Sequence, residues 1–186
     1  MAISIDATVG GASANSYITL SDANSIIEGL IVDDDVSAWD GSNTDNKNRA
    51  LFTAAQRIDR FRFLGARVSD TQALEWPRSG VRKPDTYTNL YGLSFPNRIV
   101  ADYYTDTEIP DRVRNAQVVL AVYLNNNRDG LGLSGLEDFN NLSIGGLNVT
   151  PNFYGAVGAD RIPPMVERYL TGIKIGGAGN LSIKRS

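Results

Sequence analysis

The chain has 186 residues, 42% of them apolar and 21% charged, the size and balance of one globular domain with room for long loops. It has no Cys and no His, which excludes disulfides, thiol nucleophiles, Ser-His-Asp and Cys-His catalysis, and zinc sites built on those ligands. The net charge of −3 is unevenly spread: residues 1–46 hold eight acids and no base, and the remainder holds 18 bases against 13 acids.

Two readings of that asymmetry stand side by side. One is an acidic loop of no further meaning. The other is an acidic face and a basic face that meet head-to-tail in an assembly, where complementary fields fix orientation. The longest apolar run, VVLAVYL at residues 118–124, is far short of the ~20 residues that cross a bilayer. The opening MAISIDATVGG lacks the basic and apolar regions of a signal peptide, so a soluble cytoplasmic protein is expected.

The first predicted element is a short helix in SYITLSDANSIIEGL. Thr19 with Asp22 approximates a capping box, and Gly29 can end the helix. IVDDDVSAWDGSNTDN then reads as loop. Its Asp33-Asp34-Asp35 run lacks the alternate spacing of a calcium loop, so no metal is expected.

NKNRALFTAAQRIDRFRFLG is the strongest helix. Leu51, Ala54, Ala55, Ile58 and Phe61 fall on one face, and Gly65 is a natural stop. Arg57, Arg60 and Arg62 lie off that stripe, either as a solvated face with local pairs or as a phosphate site. Residues 65–108 are irregular. Between residues 78 and 98 they carry Arg78, Arg82, Lys83 and Arg98 with Tyr87, Tyr91 and Phe95 interleaved. That pattern suits single-stranded nucleic acid and suits a protein interface equally.

IPDRVRNAQVVLAVYLNNN predicts the central helix, opened by Pro110 and apolar almost all round. GLGLSG matches a dinucleotide fingerprint formally, but a helix precedes it where a strand is needed. In NNLSIGGLNVT the Gly145-Gly146 pair predicts a two-residue hairpin, with Ile144 opposite Leu147 and Leu142 opposite Val149 on one face. A lone hairpin is marginal in water, so it packs on the helices or joins a neighbouring subunit. RIPPMVERYLTGI predicts a last helix with a stripe of Ile162, Met165, Val166, Tyr169 and Ile173. A Gly-rich basic tail follows it.

The sum is a mainly α chain: a small bundle of about four helices, a β-hairpin at about 140–151, a long irregular arm at about 82–105 and a flexible C-terminal tail at 174–186. Residues 1–173 form the single domain. No pair of acids is marked out for hydrolysis, so no enzyme and no cofactor is expected.

The motif order is SYITLSDA, a helix ending in Gly, LEWPRSG, IP..V..A...LA.YL, SIGGLNVT and PPMVERYL. It resembles the head-to-tail adaptor (connector, or head-completion) proteins of tailed bacteriophages over residues 15–173. Close relatives of that family are described as DnaT-like single-stranded DNA-binding proteins. The resemblance implies a virion protein, assembled in the host cytoplasm, that sits in the neck. There it forms a ring of 12 copies between the portal protein and the tail or a second neck protein. Genomic DNA passes through such a ring without sequence-specific contact, and no membrane is involved. The tail would reach into the portal through Lys174, Ile175, Leu181, Ile183, Lys184 and Arg185. Leu142, Ile144, Leu147 and Val149 would serve contacts between subunits. Trp76, Pro77 and Arg78 read as a structural clasp: Trp76 anchors the chain, Pro77 forces an extended exit and Arg78 meets a nearby acid. The alternative function is a single-stranded DNA-binding or replication accessory module built on residues 78–98.

Overall fold

The computed structural model describes residues 3–29, 36–83, 102–126, 142–144, 147–149 and 162–175. Its centre is α4, Asp111–Asn126. Val113, Ala116, Val118, Leu120, Ala121 and Val122 are fully buried, so this helix is covered on nearly every side, as its continuous apolar run predicts. Pro110 precedes it, and the Pro110 carbonyl accepts the N–H groups of Val113 (2.9 Å) and Arg114 (3.3 Å).

Four helices pack around α4: α1 (Leu20–Gly29), α2 (Ser37–Asp40), α3 (Thr44–Ile58) and α5 (Pro164–Leu170). Helix α1 starts as its sequence predicts. The Asp22 N–H donates to Thr19 Oγ1 (3.1 Å), and that hydroxyl donates back to the Asp22 carboxylate (2.8 Å). Helix α3 buries Leu51, Ala54, Ala55 and Ile58 on one face, and Asn43 caps it by accepting the Asn46 N–H at 2.9 Å. Helix α5 buries Val166 and Leu170, one turn apart, with Ile173 just beyond them.

The structure departs from the sequence pattern at several points. The stretch expected to be pure loop holds α2, because Trp39 needs burial: it is 1% exposed, and its indole N–H donates to Asn24 Oδ1 at 3.0 Å. There are thus five helices among the described residues. Helix α3 begins two residues earlier than NKN and ends at Ile58, so Phe61 lies past its end, half-buried. Gly65 does not stop it. Gly65 has φ +69°, and a Cβ there would lie 2.2 Å from the Ser79 carbonyl oxygen, so the position demands glycine for close strand approach. That approach belongs to a two-residue antiparallel ladder, β1 (Ala66–Arg67) on β2 (Arg78–Ser79).

A second antiparallel pair, β3 (Leu142–Ile144) and β4 (Leu147–Val149), is the predicted hairpin. Its register joins Leu142 to Val149, Ser143 to Asn148 and Ile144 to Leu147, as a two-residue turn requires. The chain is therefore mainly α with a β-hairpin. No helix among the described residues is long and apolar enough to cross a membrane. Asp33–35, the GLGLSG glycines, residues 84–101 of the expected arm and the tail after Ile175 lie outside the described residues.

The core is fixed by one polar side chain that the periodicity did not mark. Gln117 on α4 is fully buried. Its Oε1 accepts the Tyr17 N–H (2.9 Å), and its Nε2 donates to Ser16 Oγ (2.7 Å) and the Leu51 carbonyl (2.9 Å). Replacing it with Leu leaves the Tyr17 N–H and the Leu51 carbonyl buried with fewer partners. We expect Gln117→Leu to lower the unfolding free energy by roughly 2–4 kcal/mol in urea titrations, while Gln56→Leu on the exposed face of α3 changes it by less than about 0.5 kcal/mol.

Candidate interface residues and the clasp after α3

Residues 59–83 leave α3 and fold back beside it, held by three side chains. Trp76 is 1% exposed and meets two rings edge-on, Phe63 with centroids 5.6 Å apart and Tyr104 at 5.9 Å. Arg78 is 8% exposed. Its Nε donates to the Leu64 carbonyl and its Nη2 to the Gly65 carbonyl, both at 2.8 Å, and its Nη1 meets the Glu75 carboxylate at 2.5 Å. With a further bond from Nη1 to the Glu75 carbonyl (3.3 Å), the guanidinium fork satisfies three backbone oxygens and one charge at once. Gln72 is also buried, and it donates to the carbonyls of Leu74 (2.7 Å) and Pro77 (3.1 Å). The Trp76–Pro77 peptide is cis, and the strand β2 begins at the next residue, Arg78.

Distant parts of the chain attach to this segment. Gly11 accepts the Ala73 N–H (3.1 Å), and Val81 accepts the Tyr104 N–H (3.0 Å). The end of the described chain does the same: the Leu64 N–H donates to the Ile173 carbonyl (2.9 Å), and the Ile175 N–H to the Arg62 carbonyl (2.6 Å). Lys174 therefore sits inside the fold. Its side chain is 9% exposed, with Nζ 3.1 Å from Glu167 Oε2 and 5.0 Å from the Phe61 ring centroid. Ile175 is 53% exposed. Of the six residues considered for portal docking, these two lie at the root of the tail; Leu181, Ile183, Lys184 and Arg185 lie outside the described residues. Nothing in the backbone pairing brings Leu142, Ile144, Leu147 and Val149 together with Trp76 or Lys174.

The bases of the basic-aromatic stretch that fall in described chain are engaged in the fold. Arg78 is spent on the clasp. Lys83 lies 3.4 Å from Glu108 and 3.6 Å from Asp102, and 5.4 Å from the Tyr104 ring centroid. Trp76 presents no face on which a base could stack. Arg60 and Arg62 remain exposed after α3. Among the described residues no group of three or more acids could hold a metal ion.

Two titratable groups that sequence reasoning missed lie beneath the clasp. The Tyr17 hydroxyl donates to the Asp59 carboxylate at the C-terminus of α3. Burial pushes the Asp59 acid up from 3.8 to about 6, against the opposing pull of the Tyr17 and Glu75 donors. Burial, and then the Asp59 charge, also push the Tyr17 phenol well above its usual value. Only the ID step at the end of the AL..A...ID helix hints at Asp59 in the sequence. Its partner lies 42 residues away, and no local pattern reveals it.

The folded chain holds the Asp59 proton up to about pH 6, whereas the unfolded chain releases it near 3.8. The contribution to stability is therefore fully present below about pH 4 and is lost as pH rises through 6, a change of about 3 kcal/mol. Asp59→Asn keeps an acceptor for Tyr17 and has no proton to lose. In urea titrations at pH 4.5, 6 and 7.5, the variant should gain on the parent as pH rises, by roughly 2 kcal/mol over that range. Parallel pH profiles would contradict this account of Asp59.

The chain matches the model of the family described as "Putative DnaT-like ssDNA binding protein" over residues 1–185, and it belongs to that family. No curated protein and no solved structure matches it.

Proposed function

We propose that this chain is a structural adaptor of a tailed-phage neck, a copy in a ring between portal and tail that extends the DNA channel. The observation that carries this reading is the fate of Trp76 and Arg78. The residues best suited to stacking and phosphate contact are consumed in holding residues 59–83 against the bundle. A single-stranded DNA site needs exposed rings and free cations along a groove. A ring subunit needs a rigid body with complementary charged regions, and here residues 1–46 are purely acidic while the rest is net basic. The motif order of the helices, the LEWPR stretch and the hairpin supports the same reading. Because Lys174 is bound within its own chain, docking on the portal falls to the segment beyond Ile175.

A second reading has its own support. The family description names single-stranded DNA binding and no virion role, so it favours a DNA-binding module over a connector. On that reading the exposed Arg60 and Arg62 and the residues at 84–101 would carry the contact.

The two readings part in one experiment. Purified protein is sedimented with heads that carry portals and lack tails, beside a version ending at Ile175 and beside a labelled oligo-dT in the same buffer. The adaptor reading expects the full chain to pellet near portal stoichiometry, the shortened chain to stay in solution, and oligo-dT to remain unbound at physiological salt. DNA binding that weakens steeply with salt, with no protein on the heads, would overturn it.

A further inference from the structure

A groove of about 600 Å³ lies between the N-terminal segment, α1 and the start of α4. Val9 and Ile26 stand in its apolar lining, and Val9 is 44% exposed. Its charged residues are Asp22, Asp111 and Arg114. Arg114 sits 3.4 Å from Asp111, which leaves Asp22 as the net charge of the lining. Asp22 is exposed, and its carboxylate meets the Thr19 hydroxyl and no cation among the described residues.

A second surface carries the opposite charge. The antiparallel bridge between Phe63 and Lys174 turns those two side chains inward, where both are buried. Side chains alternate along paired extended backbone, so Arg62, Leu64 and Ile175 turn outward. The Ile175 N–H donates to the Arg62 carbonyl (2.6 Å), which makes those two residues cross-strand neighbours. Leu64 and Ile175 are two of the few large apolar side chains that the described fold leaves exposed. Arg62 is exposed beside them and forms no ion pair among the described residues.

We infer that these two surfaces meet between copies of this chain: Arg62, Leu64 and Ile175 of one copy seat in the groove of the next, with Arg62 on Asp22. Sign and chemistry select this occupant. An apolar groove with one unmatched acid faces two apolar side chains with one unmatched base. Neither surface can pair with itself, because Asp22 would meet Asp22 and Arg62 would meet Arg62. The contact is therefore heterologous, and each added copy leaves one groove and one basic face open until the set closes. The wider field has the same sense: residues 1–46, which supply Val9, Asp22 and Ile26, hold eight acids and no base, and the remainder is net basic. An exposed ion pair adds little affinity, so the apolar side chains supply attraction and the charges supply orientation. A face of three side chains falls well short of a standard interface. A single contact is thus weak, and closure, which holds every copy on two sides, stabilises it. The contact rests on the ring reading, which requires one such pair of faces on every subunit.

The absence of Cys makes the test direct. Val9→Cys and Ile175→Cys are made in separate full-length chains of different mass. The two are mixed at ~mM concentration, where weak contacts are populated, and joined with a short bis-maleimide. The inference expects the mixed product to exceed either like-with-like product by about tenfold. Asp22→Arg on the first chain, or Arg62→Asp on the second, should cut the mixed product about fivefold, and the two reversals together should restore it to within about twofold. A mixed product no larger than the like-with-like products overturns the inference, and so does a paired reversal that restores nothing. Sedimentation with heads separates this contact from the adaptor reading. Protein that pellets with heads yet gives no mixed product overturns the contact alone, whereas mixed product without binding to heads upholds the contact and removes the neck.

Discussion

Everything described here is arranged around a buried amide. Gln117 projects from the most enclosed helix, and its three hydrogen bonds reach the backbone before α1, a hydroxyl beside it and a carbonyl on α3. An apolar residue at that position could fill the space but could not select one register of α4 against α3. Burying a polar group is costly unless every donor and acceptor is met, so only the native register satisfies it. The fully buried Val and Ala residues around it then add packing to an arrangement that is already specified.

The clasp depends on that frame. Tyr17 joins the two, its N–H on Gln117 and its hydroxyl on Asp59. From Asp59 the chain runs to Phe63 and returns through Trp76 and Arg78. Along the way residues 62–64 pair with 173–175 and residues 81–83 pair with 102–104. A single irregular segment thus gathers the N-terminal region, the stretch before α4 and the end of the described chain. Such a segment has few regular backbone bonds of its own. Its polar backbone is satisfied by side chains instead, by Arg78 and Gln72 above all. This explains why a bulky Trp-Pro-Arg sequence follows the helix α3.

What was legible in the sequence is what local periodicity encodes. The stripes of α3 and α4, the Thr19–Asp22 cap and the register of the hairpin follow from spacing alone. Trp76 as an anchor and Arg78 beside an acid also follow from residue type and neighbours. What was not legible depends on contacts between distant residues. Gln117 looks like an ordinary polar break in an apolar run until Tyr17 and Leu51 are brought to it. Trp39 sits in a stretch so rich in Asp, Ser and Asn that composition outweighed one large side chain. Gly65 reads as a helix stop because nothing local shows the Ser79 carbonyl across the ladder. Lys174 reads as the first base of a free tail because Glu167 and Phe61 come to it only in the fold.

The central claim is that Trp76 belongs to the protein's interior and not to a nucleic-acid surface. It can be tested directly by leaving Trp76 as the only indole, through Trp39→Phe, and following its fluorescence with acrylamide and then with oligo-dT. The account predicts blue-shifted emission, little quenching by acrylamide and no response to oligo-dT. Quenching by oligo-dT that reverses with salt would place bases against Trp76 and contradict it.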